Sequence, residues 1–197
     1  MYRTLPNLVL AFHGCSRETY EKVLYRHEEL NSSTNDYDWL GNGIYFWENS
    51  YARALEWAQV HKADEEPSVV GAVIDLGQCL NLTDYGCTRI LKIVYDILRY
   101  ESEIAGIELP QNSGGNRDRA LRRLDCAVIE RLHKLNEAED KPKYEYDSVR
   151  GIFFEGDSLY PGSGFYEKTH VQICVRNPNC IKGYFSPKEL NISYPRI

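Results

Sequence analysis

The chain has no surplus of basic residues, no CxxC pair and no long apolar run, and each absence removes a class of function. Lys and Arg number 23 against 29 Asp and Glu, a formal net charge of −6 over 197 residues. A domain that grips nucleic acid along its whole surface is normally basic, so that general footprint is excluded. A locally basic groove is still compatible with an acidic total, because net charge says nothing about fold. The six cysteines, at 15, 79, 87, 126, 174 and 180, show no zinc-ligand spacing, and no metal is expected. Cys126 falls in a helical pattern and Cys174 in a strand pattern, which predicts buried free thiols. The apolar run 8–12 is too short for a secretory signal and lacks a small-residue cleavage site. No segment approaches the length that spans a bilayer. Repeats and low-complexity tracts are absent too. These points predict a reduced, cytoplasmic, single-domain protein over 1–197, long enough to bury a real core and free of membrane contacts.

What is present centres on Trp39-Leu40-Gly41-Asn42-Gly43-Ile44-Tyr45-Phe46-Trp47. Two glycines around Asn42 permit a sharp turn, and the aromatic-rich run after them has the composition of a strand. Read alone, this is a tight loop entering a core strand. Upstream lies a second apolar strand, Leu8-Val9-Leu10-Ala11-Phe12, ending in His13 and Gly14.

Between the two, Tyr20, Val23, Leu24 and His27 carry helical spacing over 17–30, with Ser16 as N-cap. After the Tyr45 strand, Asn49 or Ser50 caps a helix with Tyr51, Ala54, Leu55 and Ala58 on one face, and a strand follows at 69–75. Two more helices are predicted, from about 88 to 103 and from about 116 to 135, joined by a flexible stretch at 112–116. The last third is strand-rich. A strand covers 148–154, then a loop with three glycines runs to Gly164. Beyond it Val171, Ile173 and Val175 alternate with His170, Gln172 and Cys174, so His170 and Gln172 face the same way. Residues 180–185 are predicted to extend that strand past the turn at 177–179.

The order strand-His13-Gly14, helix, loop, Gly41-Asn42-Gly43-Ile44-Tyr45-Phe46, second helix resembles the catalytic core of the ADP-ribosyltransferases. The poly(ADP-ribose) polymerase branch is the closer match. The likeness continues in the strand from Val69 to Gly77, returns at Tyr146 to Gly151 and again from Thr169 to Gly183, roughly two thirds of the chain. It implies an α+β fold: a split mixed or antiparallel β-sheet with flanking helices. The segment from about 84 to 135 would then be a helical insert, larger than that core usually has there, which covers the sheet or helps bind the acceptor.

The chemistry implied is cleavage of the bond between nicotinamide and ribose in NAD, a co-substrate, through a transition state resembling an oxocarbenium ion. By resemblance, His13 bonds the adenosine ribose and the backbone of Gly14 holds the carboxamide, while Gly43 belongs to the turn that presents Tyr45. The Tyr45 ring stacks on nicotinamide. Trp57 supplies a second stacking face or packs in the core. Chain-building polymerases carry a glutamate on the late strand, where this chain has Gln172, and other branches carry Gln or Glu two residues earlier, where it has His170. An amide orients a hydroxyl but is no general base. This favours transfer of a single ADP-ribose, unless Glu155, Asp157 or Glu167 supplies a carboxylate.

The implied activity is mono-ADP-ribosylation of a macromolecule, either protein or nucleic acid. Arg119, Arg122 and Arg123, with Arg117, would form a basic helix face for a phosphate backbone, with Tyr160 or Phe165 stacking on a base. The same residues suit a solvated face paired with Asp118 and Glu130. A small domain of this kind is similar to bacterial toxins and defence effectors, which implies a neutralising antitoxin partner. Two rivals stay open: an RNA 2′-phosphotransferase, with Arg150 and Arg176 lining its cleft, and an inactive NAD-binding or interaction module.

Overall fold

In the computed structural model, residues 8–114, 121–137, 146–188 and 193 are described. Strand β1 (Val9–Ser16) runs past His13 and Gly14, where the sequence predicted its end, and Ser16 turns it into helix α1 (Arg17–Tyr25). The Ser16 hydroxyl accepts from the Thr19 N–H at 3.2 Å, as expected of an N-cap. The helix is shorter than predicted. His27, placed on its apolar face by spacing, instead has φ of 58°, and Glu28 N–H bonds back to the Lys22 carbonyl at 3.1 Å. A left-handed residue there ends the helix.

Strand β2 (Ile44–Glu48) leads into α2 (Tyr51–His61), followed by β3 (Pro67–Ile74) and β4 (Cys79–Asn81). Ser50 occupies the cap position of α2, but its side chain makes no capping bond. Helix α3 (Tyr85–Ala105) is longer than expected, because the Asp84 carboxylate caps the Gly86 N–H at 2.7 Å and Gly106, at φ 64°, stops it. The residues read as a flexible joint and a helix start are partly strand: β5 (Asn112–Ser113) pairs with β6 (Leu121–Arg122). Helix α4 (Arg123–Glu137) begins only there, so Arg122 lies on a strand and shares no helix face with Arg123. The Asn112 side chain accepts from the Leu124 and Asp125 N–H groups and thereby caps α4. Arg117 and Arg119 fall outside the described residues.

Strands β7 (Ser148–Phe153), β8 (His170–Val175) and β9 (Ile181–Phe185) follow. Among the described residues the main sheet has seven strands in the order β4-β7-β8-β2-β1-β3-β9. It is mixed: β4 and β7 are parallel and the other pairs antiparallel. The architecture is α+β. Strand β9 does not extend β8; it crosses to the far edge and pairs with β3.

Period-two alternation gives the sheet two apolar faces. One carries Ala11, Cys15, Ile44, Phe46, Ile173 and Val175, with Val23 of α1 packed on it. The other carries Leu80, Val149, Phe153 and Cys174 beneath α3 and α4, and Trp47 and Val69 beneath α2. The helical insert therefore covers the sheet. The cysteines are free, and only Cys87 is not buried. Among the described residues, no helix is long and apolar enough to cross a membrane.

Candidate active site

Strands β1 and β2 run side by side only briefly. Ala11 faces Glu48 and Phe12 faces Trp47, and there the ladder ends. Strand β1 continues to Ser16 against β3 alone. The sheet thus splits between β1 and β2, with His13 and Gly14 on one lip and Tyr45 on the other. The Leu10 carbonyl accepts from the Asn49 N–H. Because backbone direction repeats every two residues, the N–H and C=O of Phe12 and Gly14 point to the same side. The Gly14 groups therefore face the split, beyond the end of the ladder.

His13 reaches across it. Its Nδ1 donates to the Tyr45 carbonyl at 2.8 Å, which requires the hydrogen on Nδ1 because a carbonyl only accepts. Burial lowers the imidazole pKa, opposed by that bond. The ring is neutral, and Nε2 is left as an acceptor. Gly14 lies directly under α2: a Cβ there would sit 2.2 Å from the Ala54 carbonyl oxygen and 3.3 Å from the Trp57 ring. Trp57 stacks on His61 at 4.6 Å and borders Trp47 at 6.0 Å.

Tyr45 has another task. Its hydroxyl donates to the Gly41 carbonyl at 2.6 Å and accepts from the Leu40 N–H at 2.8 Å. Burial, the main cause, drives the phenol pKa far above its usual value. The side chain braces the glycine turn that precedes it. Gly41 needs φ of 79°, and a Cβ there would meet Glu130 at 2.5 Å. Gly43 exchanges both backbone bonds with Ser33, at 2.8 and 3.0 Å. Tyr45→Phe would leave two turn groups without their partner, and we expect a loss of about 1–3 kcal/mol in urea unfolding. Wild-type stability in that variant would show that the turn holds without its brace.

On β8, Trp47 pairs with Gln172 and Tyr45 with Cys174, so these side chains share a face. His170 donates from Nδ1 to the Lys168 carbonyl at 2.7 Å, and its Nε2 accepts from the Gln172 amide at 3.1 Å. Burial lowers the His170 pKa, and the nearby Arg53 and Arg122 charges add to the effect. A neutral histidine thus orients the Gln172 amide. The structure brings Gly14, Trp57 and Trp47 together and joins His170 to Gln172. It does not gather the side chains of His13, Tyr45 and Gln172 on one face. His13 lies with Phe46, their rings 5.7 Å apart, whereas Tyr45 packs with Leu40 and Cys174 on the other side.

Of the three alternative carboxylates, Glu155 is held by Arg53, which also binds Glu56. Asp157 and Glu167 are exposed, and the Asp157 N–H donates to Glu167 at 3.4 Å. Arg150 is clamped by both oxygens of Glu48, and Arg176 pairs with Glu130. Arg122 lies over Trp39 at 4.5 Å and over Phe153 at 4.9 Å, and Arg123 pairs with Asp36. Tyr160 and Phe165 are exposed on the loop after β7.

Two residues near the site were missed in the sequence. Arg53 sits one helical turn before Trp57 on α2, a spacing that places both on one face and was the available signal. Trp39, whose ring lies 6.3 Å from that of His170, gives none. With Tyr95, Arg122 and Phe153 it lines a cavity of about 350 Å³ under the insert helices, which none of His13, Gly14, Gly43, Tyr45, Trp57, His170 and Gln172 lines. Among the described residues, no group of three or more His, Cys, Asp or Glu side chains could hold a metal ion.

No family model matches the chain. It is similar to the uncharacterized protein MJ0359 of Methanocaldococcus jannaschii, at 25% identity over 191 residues, covering 87% of this chain and 83% of that protein. A crystal structure of an anti-CRISPR protein aligns with a TM-score of 0.37 and 16% identity, over 88% of this chain and 94% of that one. A likeness that weak carries no argument about function.

Proposed function

We propose that the chain is an NAD-dependent mono-ADP-ribosyltransferase and that the split between β1 and β2 receives the nicotinamide end of NAD. The observation that carries this reading is the Gly14 edge: one N–H and one C=O facing the split past the last β1–β2 pair. A primary carboxamide needs one acceptor and one donor side by side, and a bare strand edge supplies both. Trp57 offers a ring beside that edge. His13 offers its Nε2 to a ribose hydroxyl, and Gln172, oriented by His170, offers a second polar contact.

NAD supplies the ADP-ribosyl group. Nicotinamide leaves with the bonding electron pair, and an acceptor oxygen or nitrogen takes its place on the ribose carbon and releases its proton to solvent water. Gln172 is an amide and holds the ribose without taking that proton. One unit is therefore transferred to each acceptor group. The acceptor is a macromolecule, protein or nucleic acid, and a neutralising partner protein belongs to the same proposal.

Nicotinamide release from NAD by the purified chain is the test. His13→Ala should weaken NAD binding by about 1–3 kcal/mol, roughly five- to 150-fold, with the fold intact. Mass spectra of modified acceptors should show single units. Nuclease and protease digestion of a labelled lysate then separates the two acceptor classes. Binding of NAD without nicotinamide release would make the chain an NAD-binding module. That second reading is favoured by the Tyr45 hydroxyl, which is fully engaged in its own turn. Neither binding nor release would overturn both.

A further inference from the structure

Helix α3 carries two apolar stripes, and among the described residues only one of them is packed inside the molecule. Ile90, Leu91, Val94, Tyr95 and Leu98 pack into the core cluster with Val149 and Leu132. On the outward side Ile93, Ile97, Tyr100 and Ile104 follow at steps of four, three and four residues, the repeat of a seam between two helices. Ile93, Tyr100 and Ile104 are 61%, 62% and 70% exposed, and Ile107, three residues further on, is 68% exposed. Ile93, Ile97, Tyr100 and Ile104 line a shallow groove along the helix. A single exposed isoleucine needs no account, but a contiguous stripe of this kind marks a contact surface.

The rim of the stripe indicates what covers it. Lys92, Asp96, Arg99 and Glu103 line one side of the seam, each pair bonded within the helix at 2.6 Å. The charges read plus, minus, plus, minus. A two-fold rotation reverses that order, so in an antiparallel pair Lys92 meets Glu103 and Asp96 meets Arg99. Every contact along the rim is then between opposite charges. In that register Ile97 lies beside Ile97 of the other copy, next to the two-fold axis, and Ile93 lies between Tyr100 and Ile104 of the other copy. A parallel pair would instead set Asp96 beside Glu101, acid on acid.

We infer that the chain forms a two-fold homodimer in which α3 of one copy packs antiparallel against α3 of the other. The exposed apolar side chains offer roughly 500 Å² per copy, and the rim adds to this, against about 800 Å² per partner in a stable interface of standard size. The contact is isologous, so it closes at two copies.

Sedimentation equilibrium of the full chain should give twice 22.8 kDa. Ile97→Asp with Ile104→Asp should give a monomer with unchanged helix content. The sharper test exchanges charges. Lys92→Glu with Asp96→Lys keeps an ion pair within the helix but sets like against like across the two-fold axis. Its dissociation constant should rise at least tenfold. Adding Arg99→Glu and Glu103→Arg restores the alternation in reverse and should restore the dimer. A wild-type monomer at all concentrations, a larger assembly, or dimerisation unaffected by the two-residue exchange would each overturn the inference.

Discussion

Gly14→Ala is expected to lower the unfolding free energy by about 1–3 kcal/mol or more and to abolish any NAD turnover, although it adds only one methyl group. The new Cβ would stand 2.2 Å from the Ala54 carbonyl oxygen and 3.1 Å from its carbon. Both are backbone atoms inside α2 and cannot swing aside as a flexible side chain would. Relief requires α2 to lift or β1 to retreat, and either movement shifts the Gly14 edge and Trp57 together. Catalytic loss should therefore exceed what the unfolded fraction explains, because misplacing a binding edge by an ångström is costly in itself. Gly183→Ala is the control: nothing lies within 4 Å of its Cβ position, and it should be neutral in both measurements. If Gly14→Ala unfolded at the wild-type urea midpoint, α2 would not be seated on β1 as described.

Acid should unfold the protein well before its carboxylates account for the loss. His133 is 4% exposed on α4, its Nε2 is buried without a hydrogen-bond partner among the described residues, and its ring meets the Tyr146 ring edge-on at 6.2 Å. Burial, with the Arg176 charge adding to it, pulls its pKa from 6.5 down to about 3. The unfolded chain then binds a proton that the folded chain refuses. Stability is full above pH 6.5 and falls as the pH drops from 6.5 toward 3, by up to about 4–5 kcal/mol from this group alone. His13 and His170, also lowered by burial, act in the same direction. His133→Leu removes the titrating group and the unpartnered nitrogen together. It should leave stability at neutral pH unchanged or raised and flatten the acid slope. An NMR titration placing His133 near its ordinary pKa would end this account.

Much of the architecture was legible because periodicity is a local record of burial. Alternation at 170–175 places Ile173 and Val175 on one face and Cys174 on the other, as expected. Ser16 announced the start of α1 as a cap. The failures are equally physical. His27 continues a helical spacing, yet the chain enters the left-handed region there, and spacing records no dihedral angle. Arg122 continues a helical spacing too, but β6 pairs with β5 and holds it in a strand. Strand β9 looks like an extension of β8 until its partner is known, and that partner, β3, lies more than a hundred residues earlier in the chain.

For the site the division is similar. Spacing and residue type by themselves determined helical and strand patterns along the chain, a histidine–glycine strand, an aromatic strand after a glycine turn, and an amide, Gln172, that lacks the acid of a general base; the α+β arrangement was what the resemblance implied. Only the tertiary structure decided that β1 and β2 part after Phe12, leaving the Gly14 edge to the split. It also decided that His13 and Tyr45 leave opposite faces, that the Tyr45 hydroxyl braces its own turn, and that His170 orients Gln172. The reason is range. A residue type states which bonds a side chain can make, but which partner it meets depends on strands and helices brought together from distant parts of the chain.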